Sequence, residues 1–480
     1  MSYDAVVVGS GPNGLTAAIT FAEAGWSVLV IEGADTIGGG LRSSELFEAG
    51  NRHDVCAAVH PLGFISPAWM RWPLDEHGLR WLTPDVSFTH VFDAARTLSV
   101  ERSWEQTLRN LGVDAARWRR VLGPLSGDPA RLARQVLSPL SFPDDPRPWL
   151  SFGPRALCST DLLTAAFTTD DAKTAFAAVA AHGIRPTSAP ASAAAGLLLT
   201  AAASTTGWPI ARGGSQAIAD ALAGVLHGFS GRVETGWQIT AFDEIPRARA
   251  VLFDTSPTAL AAILGDRLPA GYRRRLAGYR YGPGVCKVDY LLSEPIPWRG
   301  RDLARTATFH LATSYDVIRT VEADVAAGRH PLRPWLLGGE PTRIDPSRAA
   351  SNRHVAWSYC HVPHGSDVDM SEAMTAEIER CAPGFRDVIL ASRVITAADY
   401  SRYNPNLVGG DIGCGASSLR QLLARPVMSA NPYATPVDGV YLCSSATPPG
   451  GGAHGMSGYN AARAILRMGN LARRTGEAQR

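Results

Sequence analysis

The stretch YDAVVVGSGPNGLTAAITFAEAGWSVLVIE, Tyr3 to Glu32, decides the fold. Tyr3 to Val8 is a continuous apolar run, the pattern of a parallel strand buried on both faces. Gly9, Gly11 and Gly14 follow in the spacing G-x-G-x-x-G, with Pro12 and Asn13 between them. Leu15 to Ala24 has helical composition and stops at Gly25; Trp26 to Glu32 reads as a second buried strand ending in an acid. Strand, glycine turn, helix, strand and acid together form the dinucleotide-binding fingerprint in its required context. Gly9 makes the tight turn, Gly11 lets the backbone approach a pyrophosphate, and Gly14 lets helix pack on strand. The pyrophosphate then sits at a helix N-terminus, where free N–H groups and the dipole favour an anion. Glu32 can accept from both ribose hydroxyls, and its charge repels a 2′-phosphate, which argues against NADP.

Directly after Glu32 the chain reads GADTIGGGLRSS. Gly33, the pair Gly39 and Gly40, Leu41 and Arg42 extend the phosphate-binding surface. Here the sequence resembles the FAD-binding glutathione-reductase-like flavoproteins, and the resemblance implies FAD rather than NAD.

A second G-x-G-x-x-G, Gly450, Gly452 and Gly455, lies in ATPPGGGAHGMSG near the C-terminus. Upstream, Gly439 to Thr447 reads as a buried strand. Downstream, Ala461 to Ala472 reads as a helix that frays into a polar tail, and no further strand follows. A second βαβ unit is therefore not completed, and the expectation is one cofactor touched by both ends of the chain. A helix N-terminus at this loop can hold the negative charge of a reduced flavin ring.

GVYLCSSATPPGGGAHGMSGYNAARAIL resembles the C-terminal FAD motif of the phytoene-desaturase-like FAD-dependent oxidoreductase superfamily. NPNLVGGDIGCGASSLRQLLARP, Asn404 to Pro426, resembles the branch containing bacterial relatives of pyridine nucleotide-disulfide oxidoreductase domain-containing protein 2. The resemblance is strong at the two ends and at Gly207 to Leu222. It implies an α/β protein, with a glutathione-reductase-like FAD-binding Rossmann domain and an inserted mixed α+β substrate domain. The FAD domain is expected at 1–84, 205–260 and 401–480, and the substrate domain at 85–204 and 261–400. The resemblance adds Ile239, Ser445, Gly452, His454, Gly455 and Met456 to the cofactor-binding candidates. Locally, 85–205 reads as helical, Ala189 to Ser204 as a buried helix, GRVETGWQITAF as a strand pair, and Ala248 to Pro257 as a strand returning to the FAD domain.

The chain has 480 residues, and its net charge of +2 gives no reason to expect a nucleic-acid partner. Seven cysteines without a C-x-x-C argue against a disulfide framework or zinc site and fit a reducing, cytoplasmic compartment. The longest apolar run is too short for a transmembrane span, and contact with a membrane surface is left open.

Basic residues are almost all Arg; Lys occurs only at Lys173 and Lys287. YGPGVCKVDYLLSEPIPW, Tyr281 to Trp298, resembles a stretch of the flavin amine oxidases in which a strand lysine holds a water against the reactive flavin nitrogen. Lys287 is then a proton-delivery or reoxidation residue, or else a lysine snorkelling from a strand edge. Amine oxidases place an aromatic residue where this chain has Gly452. His454 and His60 are candidate proton donors or acceptors, each with a purely structural alternative. Asp54 is a pocket candidate, and His361 reads as a satisfied core histidine. The leading expectation is an FAD-dependent oxidoreductase of desaturase, dehydrogenase or saturase type, acting on an apolar small molecule by hydride transfer with an unassigned electron acceptor. The alternatives are a flavin amine oxidase using Lys287, and a flavin-containing scaffold or interaction protein with little turnover.

Overall fold

Two sheets organise the chain. The computed structural model describes residues 2–139, 146–350 and 352–477. The first sheet has five strands, in the order Val440–Leu442, Ala248–Phe253, Tyr3–Val8, Val28–Ile31 and Arg232–Glu234, all parallel. Its strands draw on both ends of the chain and on the middle. Their apolar runs follow from burial on two faces. Ala5, Val7, Val28 and Val30 pack against the helices Pro12–Glu23, Gln216–Gly228 and Met456–Glu477. The alternate residues Val6, Val8, Leu29 and Ile31 pack against Leu260, Leu264, Tyr272 and Leu276.

The second sheet has seven strands, in the order Ile389–Ile395, Gly284–Leu292, His354–Val362, Leu336–Gly339, Thr308–Leu311, Val86–Val91 and Thr97–Glu101. All neighbours are antiparallel except Thr308–Leu311 and Val86–Val91. One face is a dry core containing Val288, Tyr290, Phe309 and Leu336, closed by the helix Ser371–Cys381. The register sets the other face: His90, His310, Leu337, Tyr359, Lys287 and Ile395 lie in one cross-strand row. The helix Ala193–Ala203 is buried, as its composition predicts.

Three local expectations are corrected. Residues 86–101 form two strands, not helix; VSFTHV and TLSVE are rich in β-branched residues and complete the edge of the large sheet. Of GRVETGWQITAF only Arg232–Glu234 is a strand, and the rest is an irregular segment ending in a turn at Phe242–Glu244. The terminal helix runs to Glu477, beyond the expected Ala472; the last three residues of the tail lie outside the described residues. Among the described residues no helix is long and apolar enough to cross a membrane.

Candidate functional site

A cavity of about 1140 Å³ runs between the two sheets. It exceeds the roughly 300–1,000 Å³ of ordinary small-ligand sites, which leaves room for a dinucleotide and a second molecule. One end is built by the turn after the first strand. Gly11 caps the helix Pro12–Glu23 without a side chain and Pro12 opens it, so in the first turn the Asn13 N–H is left unclaimed at the cavity, while the Gly14 N–H is taken by Asp254. Gly9, Gly11, Pro12, Asn13, Glu32, Gly33, Gly39, Gly40, Arg42 and Ile239 all line this end.

The C-terminal loop closes on the same space. Ser445, Gly452 and His454 line the cavity, and Asn13 Nδ2 donates to Ser445 Oγ at 3.2 Å, joining the two ends of the chain. A Cβ at Gly452 would stand 3.0 Å from the His454 ring and 3.3 Å from Leu62. The imidazole and Leu62 therefore occupy the space into which a larger residue at 452 would grow.

Four cofactor-binding candidates stand behind the cavity lining, Gly14 in the close helix-on-strand packing expected of it. Gly14, Leu41, Gly455 and Met456 do not line the cavity. Gly14 packs against the Asp254 carboxylate, and its N–H donates to Asp254 Oδ2 at 2.8 Å. Leu41 is core. A Cβ at Gly455 would collide with Thr16 and Trp69, and the Met456 N–H donates to His454 Nδ1 at 3.1 Å. Arg42 is engaged as well: it donates to Glu32 Oε1 at 3.0 Å, while Ser10 N–H donates to Oε2 at 3.0 Å.

The candidate catalytic residues separate. His60 and His454 line the cavity; Lys287 does not. Its ammonium donates to the Asp54 carbonyl at 2.8 Å and to Asp289 Oδ1 at 2.5 Å, with both side chains almost fully buried. Neither a snorkelling lysine nor an ammonium reaching into the cavity describes this arrangement. Asp54 is bound to Arg348 at 2.5 Å and also lies off the cavity. His361 is the expected core histidine, held by Glu322 at 2.6 Å.

Hydrogen bonds assign the imidazole protons. Ser215 Oγ donates to the Ala57 carbonyl, so His60 donates to Ser215 through Nε2 at 2.7 Å and keeps the Nδ1 lone pair unpartnered. His454 accepts at Nδ1, so its proton is on Nε2. Burial pushes both rings down to about 4 and keeps them neutral.

Sequence reasoning passed over Asp254. Its carboxylate lies beneath the glycine turn, where a Cβ at Gly11 would stand 2.6 Å from Oδ2. Burial, with the Glu32 charge adding to it, pushes its carboxyl up to about 7. The available signal was a charged residue ending the apolar run ARAVLF. The Ala/Leu-rich helix and the Trp-rich segment, expected from the sequence to wall a pocket, line the far end of the cavity. Phe152, Ala156, Leu198 and Trp208 wall it, and Thr308, Leu337, Trp357 and Tyr359 floor it from the large sheet. Among the described residues no group of His, Cys, Asp and Glu could hold a metal.

Fold and cavity define the class: a dinucleotide-binding protein with the two-sheet architecture of flavin-type oxidoreductases. Residues 7–72 match the NAD(P)-binding Rossmann-like domain family. The chain is homologous to pyridine nucleotide-disulfide oxidoreductase domain-containing protein 2 of Rattus norvegicus, at 27% identity over 97% of this chain and 93% of that one. In fold it is similar to an oxidoreductase from Methanosarcina mazei (TM-score 0.66, 16% identity, covering 97% and 100% of the two chains). It is likewise similar to a putrescine oxidase redesigned in its cofactor binding (TM-score 0.62, 16% identity, 97% and 99%).

Proposed function

We propose that the chain is an FAD-dependent oxidoreductase that moves a hydride between an apolar small molecule and the flavin. The observation that carries this reading is the continuity of one cavity, from the glycine turn and Glu32, past Gly452 and His454, into an apolar end. The residues fit the cofactor. The unclaimed N–H of Asn13 at the helix start suits a pyrophosphate, Glu32 suits a ribose, the backbone at Ile239 suits the adenine, and the Gly451–His454 loop suits the ring system. When bound, FAD supplies the two-electron acceptor or donor. The chain's own part is to hold substrate and ring together and to exclude water. His60 is placed to take a proton at Nδ1 and His454 to donate one from Nε2. Lys287 acts from behind the cavity, by fixing the Asp54 carbonyl and the segment that leads to Cys56. The relatives include a putrescine oxidase. An amine reading needs a carboxylate at the apolar end, and among the described residues the cavity's acids, Glu32, Asp254 and Asp411, come from other segments.

The test is to purify the protein, record its absorbance and identify what acid releases. Released FAD, followed by anaerobic bleaching with an apolar substrate, supports the reading. A colourless protein that takes up no added FAD overturns it.

A further inference from the structure

The apolar end of the cavity is not uniformly apolar. His182 lines it, and its Nδ1 donates to the Val179 carbonyl at 3.0 Å, which leaves the Nε2 lone pair without a protein partner. Burial pushes this ring down to about 4, so Nε2 remains an acceptor. Thr308 lines the same end, and its hydroxyl is buried without a partner. His310, two residues along the same strand and on the same face, packs its ring 5.3 Å from that of His182; Trp208 packs edge-on to both. Trp357 is the third polar member. It lies in the cross-strand row Thr308, Gly339, Trp357. A Cβ at Gly339 would stand 2.8 Å from Trp357 Cε2 and Cζ2. The absent side chain leaves room for the indole to lie across that strand in the row with Thr308, and its N–H makes no hydrogen bond among the described residues.

No carboxylate or guanidinium lines the cavity beside these groups; Glu322 lies behind the lining, held by His361 and Trp335. Among the described residues the carboxyl and guanidinium side chains that line the cavity are Glu32, Asp254, Asp411, Arg42 and Arg402, all from segments that surround the glycine turn and the C-terminal loop. A cationic ligand would lose its water without gaining a carboxylate, and an anionic one without gaining a guanidinium. A pure hydrocarbon would strip water from an acceptor and two donors and leave all three unpaired.

We propose that this end of the cavity takes a neutral molecule bearing one hydroxyl or carbonyl group on an apolar skeleton, that group being hydrogen-bonded by His182, Thr308 and Trp357. The proposal rests on the reading of this end as the substrate's. A hydroxyl can donate to His182 Nε2 and accept from Thr308 or Trp357; a carbonyl accepts from the latter two. The skeleton lies against Phe152, Ala156, Leu198 and Trp208.

A matched set tests this: decalin, 2-decalone, 2-decalol and 2-aminodecalin are titrated into the holoenzyme. Binding is followed by calorimetry and tryptophan fluorescence, and flavin content is read from absorbance of the same samples. The ketone and alcohol are expected to bind about tenfold or more tighter than decalin, and the ammonium no tighter than decalin. In Thr308→Val, and further in Thr308→Val with His182→Leu, decalin affinity holds and the oxygenated pair loses its advantage. Thr308→Val nearly preserves shape, so it decides the matter even where the double variant fails to fold. Equal binding of decalin, tightest binding of the amine, a preference that survives Thr308→Val unchanged, or no binding by any of the four overturns the proposal. Protein without flavin that still prefers the ketone sinks the FAD reading and leaves this one standing; flavin-loaded protein without the preference does the reverse.

Discussion

Asp254 is a carboxyl enclosed by the turn that receives the dinucleotide, and its titration is a property of the fold. Its carboxyl rises from 3.8 to about 7, mainly through burial. A group whose folded pKa is raised supports folding below its unfolded value, and that support is lost as pH climbs to the folded one. Between pH 3.8 and about 7 the wild type therefore loses stability from this site, and above that the loss is level. Asp254→Asn keeps an acceptor for the Gly14 N–H and has no charge to bury. Its stability advantage over wild type is expected to grow by about 1 kcal/mol per pH unit across that window and then stay flat. Urea denaturation of the cofactor-free protein from pH 4 to 8.5 checks this; a gap independent of pH sinks it. None of this was legible from the glycine spacing, because Asp254 and Gly14 are 240 residues apart and meet only when two strands pair. The glycines were legible because turn, helix dipole and anion are local.

At the scale of elements, the large sheet explains both what the sequence hid and what it offered. Lys287 and Asp289 are two apart on one strand and so share a face, which the spacing K-x-D already implied. The buried ion pair follows from that periodicity, whereas the cross-strand row joining Lys287 to Tyr359 and Leu337 needs the register. The strands at 86–101 were hidden for a related reason: Val86–Val91 joins the large sheet by pairing with Thr308–Leu311, more than two hundred residues on. Removing one partner of a buried pair leaves the other charge stranded. Lys287→Met is expected to destabilise by about 3–5 kcal/mol, and Lys287→Met with Asp289→Leu to recover much of it. Denaturant midpoints check the cycle. If the single variant is as stable as wild type, the pair is not what holds this strand against the Asp54 segment. A second outcome is read from the same proteins. A lysine that acts only by positioning leaves flavin reoxidation intact once stability is restored in the double variant, whereas a lysine that itself moves the proton leaves it slow.

The whole molecule joins its two ends at the cofactor turn. The helix Met456–Glu477 packs on the helix Pro12–Glu23 so closely that a Cβ at Gly458 would collide with the Asn13 carbonyl oxygen. Asn13 itself reaches Ser445, and Ser66 Oγ donates to the His454 carbonyl at 2.7 Å, so the C-terminal loop is tied to the N-terminal segment as well as to its own neighbours. A ligand that spans Gly9–Asn13 and Gly451–His454 then binds only when both ends are docked, and its binding energy becomes stability of the docked chain. Gly458→Ala forces the helices apart at the residue that positions the turn. The expected result is a loss of about 1–3 kcal/mol in cofactor-free stability, from overpacking. A loss of FAD affinity is expected with it, so that added FAD raises the melting temperature less than in wild type. An alanine two turns further along the same helix, at Ile465, costs comparable stability through a cavity but lies away from Asn13, and leaves the FAD-dependent rise near that of wild type. If both variants lose that rise in proportion to their stability, the helix is a general clamp. If only Gly458→Ala does, the close contact at Asn13 is what couples the end of the chain to the site at its beginning.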